Sequence, residues 1–182
     1  MKQSTDSGQG ELSWVQPRRI EAEYQLVRDR KTVASLRWEK ALGSLATGEA
    51  GDSRWTFKRV GVFRPRVTVR VQGSETDIAV FEPGWSYTGL LRFSDGRSYR
   101  WTNVSFWELE WAFTREDGSP LVRFFQRAKG RTGGPVRIEP GAEGLPDLPI
   151  LLLLGWYLLV HMERDADTAA AVVPASYHPI GP

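Results

Sequence analysis

Pro149-Ile-Leu-Leu-Leu-Leu-Gly-Trp-Tyr-Leu-Leu-Val-His-Met-Glu163 is the stretch whose reading decides the fold. From Leu148 to Met162 no residue carries a formal charge when His161 is neutral, and apolar side chains fall on every face of a helix. A helix that is apolar all round is buried either in protein or in lipid. Spanning a bilayer takes about 20 such residues, and an uncharged run of about 15 is closer to a core helix. At 1.5 Å per residue the run is roughly 22 Å long, short of a hydrocarbon core of about 30 Å. Asp147 is placed to cap the helix, and Pro149 falls in the first turn, where a missing N–H costs little. Glu163, Arg164, Asp165 and Asp167 close the apolar run. Gly155 costs about 1 kcal/mol relative to Ala inside a helix, so it predicts close approach of a neighbouring backbone. The reading is a buried core helix. The alternative is a tail-anchored membrane protein with a cytoplasmic β domain.

Upstream, the pattern changes period. In Arg66-Val-Thr-Val-Arg-Val-Gln72, Val67, Val69 and Val71 share one strand face, and Arg66, Thr68, Arg70 and Gln72 share the other. Trp55 and Phe57 alternate in the same way, as do Trp107, Leu109, Trp111 and Phe113. Asp29-Arg30-Lys31, Gly73-Ser74, Pro83-Gly84, Ser94-Asp95-Gly96-Arg97 and Glu116-Asp117-Gly118 supply turns between such runs. Leu42 to Glu49 is ambiguous, its two glycines favouring a bent strand over a helix. About a dozen short strands at 8–12-residue spacing precede the one helix, with no βαβ alternation. One-sided strands need an apolar partner, and a barrel wider than eight strands has room for a helix. The expected fold is therefore mainly β: a closed antiparallel barrel of about 12 short strands around a central buried C-terminal helix. The expected organisation is a disordered segment over 1–11, one domain over 12–167 and a flexible tail over 168–182.

Composition narrows the chemistry. The 182 residues are 41% hydrophobic with eight Trp, enough for a substantial core. Lys and Arg total 24 against 22 Asp and Glu, a near balance that argues against a dedicated nucleic-acid binder and leaves an anionic partner open. There is no cysteine, so disulfides, thiol catalysis and cysteine-ligated metals are excluded. The polar N-terminus has no apolar signal core, which sets a cytoplasmic expectation. A closed barrel leaves few free edges, so a monomer is expected.

Thr32-Val-Ala-Ser-Leu-Arg-Trp38, Ser53-Arg-Trp-Thr-Phe-Lys-Arg59, Thr76-Asp-Ile-Ala-Val-Phe81 and the apolar run Pro149 to Val160 together resemble the tubby C-terminal-like superfamily. That group includes tubby proteins, phospholipid scramblases and LURP-one-related proteins. The resemblance covers about residues 20–165 and lies in the arrangement rather than in an invariant motif. It implies a twelve-stranded barrel threaded by its helix and a function at membranes. Two departures stand out: there is no cysteine for palmitoylation, and no loop with calcium-ligand spacing. No lipid-binding residue of the family carries over by position.

The candidate binding residues come from the charge pattern instead. Lys58, Arg59, Arg64, Arg66 and Arg70 form a prospective basic stripe on the barrel exterior, suited to an anionic lipid headgroup; the plainer reading is a solvated strand face. Arg123, Arg127, Lys129 and Arg131 form a second cluster leading into Lys129-Gly-Arg-Thr-Gly-Gly134, which lacks the order of a phosphate loop. The aromatics alternate with charged residues and so line the core. His161 and Glu163 do not face each other on a helix, and Glu108 and Glu110 read as surface charge. No catalytic constellation, metal site or cofactor is indicated. The expectation is a non-enzymatic binding or scaffolding module, peripheral to an anionic membrane surface.

Overall fold

In the computed structural model, which describes residues 11–18, 22–105, 109–126 and 133–172, twelve strands run up and down into a closed barrel. In chain order they are β1 Leu12–Val15, β2 Glu23–Arg28, β3 Lys31–Trp38, β4 Ala46–Ala50, β5 Ser53–Val60 and β6 Arg66–Val71. They continue as β7 Asp77–Pro83, β8 Gly89–Phe93, β9 Ser98–Ser105, β10 Glu110–Thr114, β11 Pro120–Phe125 and β12 Gly133–Ile138. Every strand pairs antiparallel with its chain neighbour, and β1 closes the ring on β12 with Leu12 opposite Val136. The seam requires glycine at its tightest point. Gly133 has φ 155°, and a Cβ there would sit 2.2 Å from the Trp14 carbonyl oxygen.

The helix α1, Leu148–Val172, passes through this ring. From Ile150 to Val160 every residue is buried, with Gly155 enclosed against the Phe124 ring. Opposed walls touch the same turn. Gly155 meets Phe124 of β11, while the Tyr157 ring lies 5.8 Å from Phe57 of β5 and stacks at 5.7 Å on Trp38 of β3. Trp156 stacks on Trp14 of β1 at 5.6 Å. β5 and β11 are six strands apart in a ring of twelve, so only an enclosed helix can reach both. Among the described residues no helix is long and apolar enough to cross a membrane.

Several local expectations are corrected. The neighbour that Gly155 admits is an aromatic ring, not a backbone: an added Cβ would stand 2.2–2.9 Å from three Phe124 atoms. Asp147 precedes the helix, but its carboxylate accepts a 2.7 Å hydrogen bond from the Tyr99 hydroxyl and pairs with Arg97 at 2.5 Å. That buried pairing pins the helix entrance to the β8–β9 hairpin. Val71 stays in register opposite Trp55, on the face of Val67 and Val69, but is 47% exposed at the strand end. Leu109, at φ 49°, also faces out, while Trp111 and Phe113 point inward as the alternation requires. Glu110 is buried and held at 2.6 Å by Arg123, which also binds Glu139, so it is not surface charge. The helix continues through Val172, five residues past Asp167. Trp107, Glu108, Arg127, Lys129 and Arg131, and the expected terminal segments at 1–10 and 173–182, lie outside the described residues.

Candidate functional site: the helix-exit rim

Alternate loops of an up-and-down barrel share an end, and the β3–β4, β5–β6 and β7–β8 loops lie at the end where α1 leaves. Each is a tight turn. Gly43 N–H donates to the Lys40 carbonyl, which puts Leu42 at the apex. Gly61, at φ 87°, folds so closely on Arg64 that a Cβ would meet its carbonyl oxygen at 2.5 Å, throwing Val62 and Phe63 outward. Gly84 N–H donates to the Thr88 carbonyl at 2.7 Å, and the Thr88 hydroxyl donates to the Trp85 carbonyl at 2.6 Å. Ser86 and Tyr87 take left-handed backbone conformations, at φ 55° and 64°, between those bonds. Such conformations cost on the order of 1–3 kcal/mol each outside glycine, and the surrounding bonds hold them.

The result is an apolar rim. Leu42 is 100% exposed, Phe63 98%, Val62 90% and Trp85 90%. A scattered exposed leucine is ordinary on a protein surface; four large apolar side chains at the tips of consecutive loops on one end are not.

The five basic residues divide into two groups. On β5, register places Arg59 opposite inward-facing Val67, and its guanidinium bonds both oxygens of Asp165 on the emerging helix, at 3.1 and 2.9 Å. Arg70 is occupied by Asp77 at 2.6 Å and Glu75 at 3.0 Å; the Asp77 hydrogen bond, more than any other contact, holds its pKa above the ordinary arginine value. Lys58, Arg64 and Arg66 are exposed and have no acidic partner among the described residues. The five therefore do not make one stripe. The free charge is concentrated around the Gly61–Pro65 turn, beside Phe63.

Between the rim and the helix lies a cavity of about 320 Å³, bounded by β6, β7, the β7–β8 loop and the exit turns of α1. Val67, Phe81, Tyr157, Leu158 and Met162 form its apolar walls, and Arg59, Arg66 and Asp165 stand around it. His161 also lines it. Its Nε2 accepts a 3.4 Å hydrogen bond from the Trp38 indole, and burial, reinforced by Arg164 and Arg59, pushes its pKa down to about 4. The imidazole is thus neutral near pH 7, and no described carboxylate is bonded to it as a catalytic partner. Among the described residues no group of three His, Asp or Glu is placed to hold a metal.

Sequence reasoning identified the cations and missed the apolar tips. The available signal was large apolar residues inside turns, as in Gly61-Val-Phe-Arg-Pro65 and Gly84-Trp85, where neither strand nor helix would bury them. Compared with known proteins, the chain matches no family model, no curated protein and no solved structure.

Proposed function

We propose that this protein is a non-enzymatic binding module that docks peripherally on an anionic membrane surface through its helix-exit end. The carrying observation is the coincidence, on one rim, of exposed Leu42, Val62, Phe63 and Trp85 with Lys58, Arg64 and Arg66, cations that have no acidic partner among the described residues. The physics is additive. Each large apolar tip gains about 1.5–3 kcal/mol when taken out of water, and each basic residue near an anionic leaflet about 1 kcal/mol. Tight turns, two of the three tied by their own hydrogen bonds, present the tips with little ordering entropy left to lose. The membership we propose, in the tubby C-terminal-like superfamily, rests on the barrel-and-helix pattern and agrees with a role at membranes.

Sedimentation with phosphatidylcholine vesicles, with and without phosphatidylserine, tests the reading. The intact protein should bind the phosphatidylserine vesicles in a salt-sensitive manner. Phe63→Ala combined with Trp85→Ala should weaken that binding about a hundredfold, from the roughly 3 kcal/mol of apolar transfer removed. Arg64→Ala with Arg66→Ala should weaken it about thirtyfold, from about 2 kcal/mol of lost attraction, and reduce the salt dependence. Equal binding by the intact protein and the tip variant would eliminate the rim as the docking surface.

A further inference from the structure

The cavity beside the rim has a composition that the rim alone does not explain. Its walls are mainly apolar, and several of their polar groups are already occupied. The Tyr157 hydroxyl donates to the Ser44 carbonyl at 2.6 Å, and His161 Nε2 is taken by Trp38. Arg59 and Asp165 neutralise each other. A peptide backbone or a sugar would find its polar groups unmatched against Val67, Phe81, Leu158 and Met162, at a desolvation cost for each. A hydrocarbon chain would not. One lining cation, Arg66, has no acidic partner among the described residues.

We propose that this cleft binds one anionic single-chain amphiphile, of the fatty-acid class. The acyl chain lies along α1 over Leu158 and Met162, between the helix and Phe81, and the carboxylate pairs with Arg66 at the mouth. Tyr87, held at the lip by the strained β7–β8 loop, covers the chain where it enters. The inference rests on the docking proposal only for the direction from which a ligand arrives, since the cleft opens beside the loops assigned to the membrane. Its binding chemistry stands without vesicles.

The chain carries its own reporter. It has two methionines, and Met162 lines the cleft whereas Met1 belongs to the N-terminal segment. With the methionine methyl groups carbon-13 labelled, dodecanoate is titrated into the full chain below its micelle concentration, without lipid. A saturable shift of the Met162 methyl with Met1 unmoved is expected, and a nitroxide on the acyl chain should broaden Met162 selectively. Arg66→Gln, on an exposed side chain that leaves folding intact, should weaken binding about tenfold through loss of a charge-assisted hydrogen bond. Dodecyltrimethylammonium should bind at least about tenfold more weakly than dodecanoate. An unmoved Met162 signal, or equal affinity for the cationic amphiphile, overturns the proposal. The Phe63→Ala, Trp85→Ala variant should keep its dodecanoate affinity, so loss of vesicle binding and loss of cleft binding are read separately.

Discussion

Replacing Gly155 with Ala sets two known effects against each other inside the barrel. In a helix exposed to water the change would stabilise by about 1 kcal/mol, because Ala is the best helix former and Gly among the worst. Here the new methyl would stand 2.2, 2.5 and 2.9 Å from three atoms of the Phe124 ring. That ring is fully buried and packed edge-on to Trp101 at 5.5 Å, so it has nowhere to retreat. Overpacking of a dense core costs roughly 1–3 kcal/mol, more when the neighbour cannot move. The upper part of that range applies, and the net expectation is a loss of about 1–2 kcal/mol despite the propensity gain. Urea unfolding followed by tryptophan fluorescence measures it. The decisive control is the double variant with Phe124→Leu: trimming the ring should relieve the overlap and give a favourable coupling of at least about 1 kcal/mol. A stabilised single variant, or a pair that is additive, would refute the enclosure of Gly155 against β11.

His161 makes stability depend on pH in a definite direction. Its folded pKa of about 4 lies below the ordinary 6.5, so the unfolded chain takes up the proton first. Stability is therefore complete above pH 6.5 and falls by roughly 3 kcal/mol as pH drops toward 4. The groups around the ring are Trp38, Tyr157, Arg164, Arg59 and Asp165. His161→Gln should remove that part of the acid dependence, and an unchanged pH profile would count against a buried neutral imidazole. Leu153→Asp puts a carboxylate where the side chain is fully buried among apolar neighbours. Loss of the leucine costs about 2–5 kcal/mol and the unpaired charge several more, which reaches the 5–15 kcal/mol typical of a domain. No cooperative urea transition should remain; a native-like one would contradict the burial of the helix.

The barrel was legible because one-sided alternation repeats in strand after strand, and because a helix apolar on every face demands a container. β5 shows the logic: Trp55 and Phe57 point in, Thr56 and Lys58 point out, and nothing but a period of two was needed to say so. The details that failed are those fixed by partners distant in sequence. Arg59 looked like surface charge, yet it meets Asp165 more than a hundred residues away, a pairing no local pattern records. Glu110 likewise gains its burial from Arg123 on the next strand. The apolar rim was hidden for another reason. Leu42, Phe63 and Trp85 sit in different loops, and only closure of the ring brings those loops to one end.

The account depends on the apolar helix lying inside the ring, and a nuclear Overhauser measurement on the intact protein addresses this directly. Protons of Gly155 should show contacts to the Phe124 ring of β11 at the same time as Tyr157 shows contacts to Phe57 of β5, on the opposite wall. Observing both sets supports enclosure, since a helix on the outer surface can touch at most one of those strands. Contacts to a single wall, or to neither, would contradict it.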